Sequence, residues 1–239
     1  MLSSKNEASI RKGDSGLYGK LITLLPMFIT AVCLIVCTLV FNQLFIKVLP
    51  CFVSLFVLMF SAKANRISFV IGAINCVIYS IGYAMESLWG SVGQVMLVSA
   101  PIQIVSFFVW KKWSKNGLTK IRKLNIKGWL LLFVCFSVGW FVFLYIFRLL
   151  NDSSLYLDNT LFVLSLCSAF LVIFGYVETK FIDAFSISVS IVLWSLKVSI
   201  DIRNITYLIF NIYSFYMSVL GCVIWTRLYI RNKRLNDIV

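Results

Sequence analysis

The sequence predicts an all-α membrane protein. The expected form is a polytopic bundle of eight spans, in which two parallel three-helix repeats are joined by a linker helix and preceded by one extra helix. Three observations carry this. The chain is 61% hydrophobic and only 13% charged, with mean hydropathy +0.95, where a water-soluble domain usually carries about a quarter charged residues. Its apolar residues fall in runs close to the ~20 residues that cross a bilayer. Its basic residues sit in short segments between those runs, as membrane orientation requires.

Residues 1–20 hold four basic and two acidic side chains and read as a cytoplasmic tail. The run that follows lacks a small-residue cleavage pattern, so no removable signal peptide is expected. Spans are expected over residues 21–41, 49–62, 67–85, 91–110, 129–147, 160–177, 181–200 and 205–226. Asn42, Gln43, Lys47 and Pro50 divide the long run 21–62, with Pro50 in a first helical turn where its missing N–H costs little. With the N-terminus inside, only Lys47, Arg148 and Arg203 fall outside. Lys197 falls within a span, and the other 18 of the 22 basic residues fall inside. That bias places both termini in the cytoplasm. The predicted organisation is a tail (1–20), an extra N-terminal helix (21–47), repeat A (48–113), a basic loop with the linker helix (114–158), repeat B (159–228) and a basic tail (229–239).

Composition also excludes functions. The net charge of +13 could suggest nucleic acid, but the basic residues form no continuous face and no nucleic-acid motif is present. Seven cysteines without a CxxC pair, and no histidine, argue against zinc, haem and iron–sulfur cofactors. The cysteines read as small packing residues. Acidic groups gather at loops and span ends, which leaves no acid–base or metal constellation for an enzyme. No GxxxxGK[ST] loop is present, so the chain does not use ATP itself. No cofactor is expected.

The repeat emerges when the chain is displaced by 115 residues without gaps. Residues 49–62 fall on 164–177, 67–85 on 182–200 and 91–110 on 206–225, with Glu86 on Asp201, Tyr79 on Trp194 and Trp110 on Trp225. Two three-span units separated by one span share an orientation, the parallel-repeat plan known in SWEET transporters.

The pattern Lys63, Ser68, Phe69, Gly72, Asn75, Tyr79, a glutamine seven residues before a terminal tryptophan (Gln103, Trp110) and the 3+1+3 plan resemble the PnuC family of vitamin transporters over roughly residues 49–230. The resemblance implies facilitated diffusion of nicotinamide riboside, with relatives that carry thiamine, riboflavin or deoxynucleosides, and trapping of the vitamin by a cytosolic kinase. One departure concerns specificity. Members that carry nicotinamide riboside have WxxWxxxN at the start of the second repeat's middle helix, and anchored on Glu178 those positions hold Lys180, Asp183 and Ile187 here. Trp194 is the aromatic residue left to replace that clamp.

Polar side chains at membrane depth are costly unless paired or facing a wet cavity, so each is a candidate site residue. Asn75 could bind ribose hydroxyls or an amide, or could join two helices. Gln103 follows Pro101 and serves either substrate or a helix kink. Tyr79 and Trp194, equivalent in the displaced alignment, would stack a planar ring between them or belong to the interfacial belt. Asn211 is expected to face the pocket, and Ser190 is included with it. Asp183 would attract a cation or pair with Lys180. Trp110 and Trp225 are expected as belt residues. The expected partners are a small vitamin or nucleoside and the bilayer, with homo-oligomerisation left open. The competing class is a membrane subunit whose basic loop 111–127 docks a larger complex.

Overall fold

The computed structural model describes residues 17–85, 95–113, 121–149 and 155–236. Eight α-helices lie among the described residues: α1 Leu17–Val40, α2 Phe45–Ala62, α3 Ile67–Met85, α4 Ala100–Trp113, α5 Ile126–Leu149, α6 Leu155–Ile173, α7 Glu178–Ile200 and α8 Ile205–Asn236. A π-helical turn, Val95–Ser99, leads into α4. Seven helical stretches are long and apolar enough to cross a membrane, and Ile67–Gly82 of α3 is a shorter apolar one. Dozens of large hydrophobic side chains point outward, the arrangement of a helix bundle solvated by lipid rather than water. The protein is a multi-pass membrane protein. Glu86 and the expected start of the fourth span lie outside the described residues.

Several boundaries differ from the sequence reading, most clearly in three helices. Helix α2 begins at Phe45, not residue 49, because Phe45 and Ile46 extend the apolar face past Lys47. Pro50 therefore lies inside the helix and is buried, rather than in its first turn. Helix α6 covers Leu155–Ile173 rather than 160–177. Asp158 and Asn159 join its first turns, and the helix stops before Gly175, whose φ of 66° no right-handed helix accepts. Helix α8 continues ten residues beyond residue 226 to Asn236, since long basic side chains can reach water from the last turns.

Six helices close into a ring. Going round, α2 packs on α3, α3 on α4, α4 on α6, α6 on α7, α7 on α8, and α8 returns to α2. Helix α1 lies outside against both α2 and α8, whereas α5 packs on α6. One apolar core joins Leu34 of α1, Cys51, Leu55, Met59 and Ala62 of α2, and Tyr213 and Met217 of α8. A second joins Phe69, Trp110, Ile121, Val177 and Trp225 near the basic segments, at what we call the basic end.

Two halves of the ring repeat in their backbone bonds, with a register that the ungapped alignment missed. Ala64 N–H donates to Ser61 O and Gly175 N–H to Val172 O; Asn65 N–H donates to Phe60 O and Tyr176 N–H to Leu171 O. Each pair is 111 residues apart, and both Ala64 and Gly175 have positive φ. The terminal tryptophans remain 115 apart. The difference of four is one extra turn in α7, 23 residues long against 19 for α3. In the structural register Tyr79 therefore corresponds to Ser190, not Trp194, and Asn75 to Ser186.

Candidate functional site

On α3, buried positions recur at helical spacing: Ser68, Phe69, Gly72, Asn75 and Cys76 form one stripe. Gly72 leaves room for α4, since a Cβ there would come within 2.9 Å of the Gln103 amide. One turn on, Asn75 is only 5% exposed. Its Nδ2 donates to Ser54 Oγ on α2 at 2.7 Å, and its Oδ1 has no hydrogen-bond partner. Tyr79, a further turn along, shares a hydrogen bond with the Cys51 thiol. The structure thus brings Asn75, Tyr79 and Gln103 onto one side of the ring, around α3. An unpartnered amide oxygen at this depth costs about 1–3 kcal/mol unless something donates to it.

The α7 side of the ring is built differently. Glu178, Thr179 and Lys180 are all buried in its first turn. Lys180 Nζ donates to Asp183 Oδ2 at 2.8 Å and to Ser61 Oγ of α2 at 2.9 Å, and lies 5.2 Å from the centre of the Trp225 ring. Ser168 of α6 donates to the other Asp183 oxygen. A lysine that the sequence reading assigned to orientation is thus a buried cation, 5% exposed. It is tolerable in lipid because a carboxylate, a hydroxyl and an aromatic face receive it. Glu178 Oε1 accepts from Leu124 N–H at 3.0 Å, and Arg122 pairs with Gly175 and Val177 through its backbone. The segment after the basic loop is pinned to repeat B in this way.

The remaining candidates lie elsewhere. The Trp194 ring stacks on Tyr207, with centroids 4.5 Å apart, and Lys197 Nζ sits 5.2 Å from its centre. Trp194 therefore does not face Tyr79, because the true register sets the two a full turn out of step. Asn211 Nδ2 donates to Tyr207 O in its own helix, and Ser190 is half-buried on α7. Near α1 and α2, a cavity of about 240 Å³ is lined by Asn42, Gln43, Lys47, Arg203, Asn204 and Tyr207, among others. Beside it the Arg203 guanidinium binds Asp201 at 2.9 Å and holds that carboxyl below its ordinary pKa, by side-chain and then backbone hydrogen bonds. Among the described residues no cluster of three or more His, Cys, Asp or Glu could hold a metal.

Trp110 and Trp225 are not belt residues. They are 2% and 0% exposed, with ring centroids 5.5 Å apart at the centre of the basic end. Each indole N–H reaches the opposite repeat: Trp110 donates to Val172 O at 2.8 Å and Trp225 to Ser61 O at 3.0 Å. Ser61 and Val172 are themselves 111 apart, so this is one bond made twice. Phe69 meets Trp110 edge-on at 4.9 Å, where its counterpart Lys180 meets Trp225. Asn159 was also missed: it is fully buried and donates from Nδ2 to Trp140 O on the linker helix. Its only signal was a lone amide at the edge of an apolar run.

A family model described as nicotinamide mononucleotide transporter matches residues 44–227. The nicotinamide riboside transporter PnuC of Haemophilus influenzae is 28% identical over 148 residues, which are 60% of this chain and 62% of that protein. The transporter of the same name from Neisseria mucosa is 27% identical over 184 residues, 73% of this chain and 69% of that one. This chain thus spans about two thirds of the length of the curated relatives it matches. A crystal structure of the vitamin B3 transporter PnuC superposes with TM-score 0.75 and 21% identity, covering 91% of this chain and 94% of that one.

Proposed function

This chain belongs to the nicotinamide mononucleotide transporter family, and from that membership we propose that it imports a vitamin-type nucleoside, with nicotinamide riboside the first candidate. The observation that carries the reading is the unpartnered Oδ1 of Asn75, buried in a closed ring of six helices beside Tyr79 and Gln103. Such an acceptor suits a hydroxyl or amide donor of a ribosylated ring. The α3 side supplies Asn75, Tyr79 and Gln103; the α7 side supplies Asp183 and Ser190, with Asn211 and Trp194 farther toward the other end. Movement of one half-ring against the other would alternate access, as in parallel-repeat transporters. Transport is passive in this reading. A cytosolic kinase traps the product, the protein resides in the bacterial inner membrane, and it functions alone or as a homo-oligomer.

A second reading within the family rests on Asp183. Its carboxylate is about a quarter exposed, where the resemblance would place an aromatic ring. Thiamine, a cation like nicotinamide riboside, suits that exchange better than uncharged riboflavin. A thermal-shift screen of the purified protein with nicotinamide riboside, thiamine, riboflavin and deoxynucleosides tests both. Stabilisation by nicotinamide riboside supports the first, stabilisation by thiamine alone supports the second, and a response to none of the four overturns the transport assignment.

A further inference from the structure

The ring has two seams where one repeat meets the other, α8 against α2 and α4 against α6. The fold repeats, so the seams should match, but they do not. Both carry the indole-to-carbonyl bond, Trp225 to Ser61 and Trp110 to Val172. Beyond that bond, the α8–α2 seam is tied along its whole length. Lys180 reaches across to Ser61 at the basic end, with its stem wedged beside Gly221 and Ala62. Tyr213 Oη donates to Leu55 O in the middle. At the far end Gln43 Nε2 donates to Arg203 O and Gln43 Oε1 accepts from Thr206. Helix α1 lies over this seam, touching both of its helices. It adds Leu34 to the core, and Tyr216 Oη bonds to Ile22 O.

Among the described residues, the α4–α6 seam has no comparable covering. Phe69 takes the place of Lys180 and has no polar group with which to cross the seam. Helix α5 packs on α6 but is not among the helices that pack on α4. In addition, α4 is entered through a π-helical turn and carries Pro101 in its first turn, two features that weaken the local hydrogen-bond ladder and allow a helix to bend. Ser106, fully buried on α4, has a hydroxyl with no partner.

We propose that the α4–α6 seam is the one that opens, and that the α8–α2 seam, clamped by α1 and by the Lys180–Ser61 bond, is the hinge. The extra N-terminal helix thereby makes the motion one-sided in a ring whose repeats would otherwise open symmetrically. Lys180 works in the same direction: its pair with Asp183 lies within α7, and opening this seam would strip the Ser61 hydroxyl from the ammonium and bring the buried pair toward lipid. Among the described residues, α4 and α6 carry no buried charged side chain, so their seam opens without such a penalty. The purpose of the opening rests on the transport reading, but the seam assignment does not.

Double electron–electron resonance on the full chain in liposomes tests it, with the native cysteines replaced by alanine and spin labels at lipid-facing positions. Phe108→Cys with Phe170→Cys spans the mobile seam, and Phe56→Cys with Val219→Cys spans the hinge; all four side chains are exposed. Without ligand, the first distance distribution should be about twice as broad as the second. Gln43→Ala should broaden the second and leave the first unchanged. Equal widths, or a broader α2–α8 distribution, would overturn the proposal. Should the cysteine-free protein not fold, hydrogen exchange on the native chain decides: residues 95–113 should exchange about tenfold faster than residues 45–62, and the reverse order refutes it. Either measurement is independent of substrate, so a failed vitamin screen would leave the hinge standing and remove only the transport reading.

Discussion

In the proposed function Asn75 is the residue that receives the ligand, because its amide nitrogen is spent on Ser54 while its oxygen has no protein donor. Asn75→Ala removes an acceptor for ligand and should weaken binding of the identified vitamin by about 1–2 kcal/mol, roughly tenfold in Kd by isothermal titration. An unchanged Kd would make the residue a packing group. Gly72 gives a second handle. A methyl there collides with the Gln103 amide at 2.9 Å, so Gly72→Ala must displace Gln103. If Gln103 touches ligand, affinity should fall while thermal stability changes little. Asp201 offers a pH reading outside the membrane. Its depressed pKa means that its bonds to Arg203 stabilise the fold above the ordinary carboxyl range and are lost as pH falls through the lowered value. The drop in melting temperature on acidification below about pH 4 should therefore be smaller in Arg203→Ala than in the native chain.

At the scale of elements, the turns before α3 and α7 decide the register. Ala64 and Gly175 occupy the same left-handed position, with φ of 52° and 66°. Alanine is strained there but evidently fits once. Gly175→Ala should thus cost about 1 kcal/mol, a lowering of a few degrees in melting temperature, without loss of the fold. A loss of folded protein would mean that the two turns are not equivalent. The helices themselves were legible: each of the eight overlaps one of the expected hydropathy runs, since lipid imposes the same requirement on every span. Their ends were less so. Helix α6 opens on Asp158 and Asn159, which an apolar window discards although Asn159 is fully buried against Trp140.

At the scale of the molecule, the ring is held at its basic end by two tryptophans that each bond the other repeat. Trp225→Phe keeps the ring packing but leaves the Ser61 carbonyl without its indole donor. It should cost about 1–2 kcal/mol in reversible unfolding, and Trp110→Phe a similar amount; unequal costs would measure the asymmetry between the seams directly. The sequence by itself determined the class, the spans, the duplication and the family, because those depend on local composition and spacing that every residue reports independently. Only the tertiary structure decided which polar groups are buried together. Lys180 reads as a loop charge and Trp225 as a belt residue until α7 and α8 bring them against Ser61, more than a hundred residues away. The register of the repeat was hidden for a related reason: one extra turn in α7 shifts every later residue by four, and hydropathy, which is blind to a whole helical turn, cannot detect that shift.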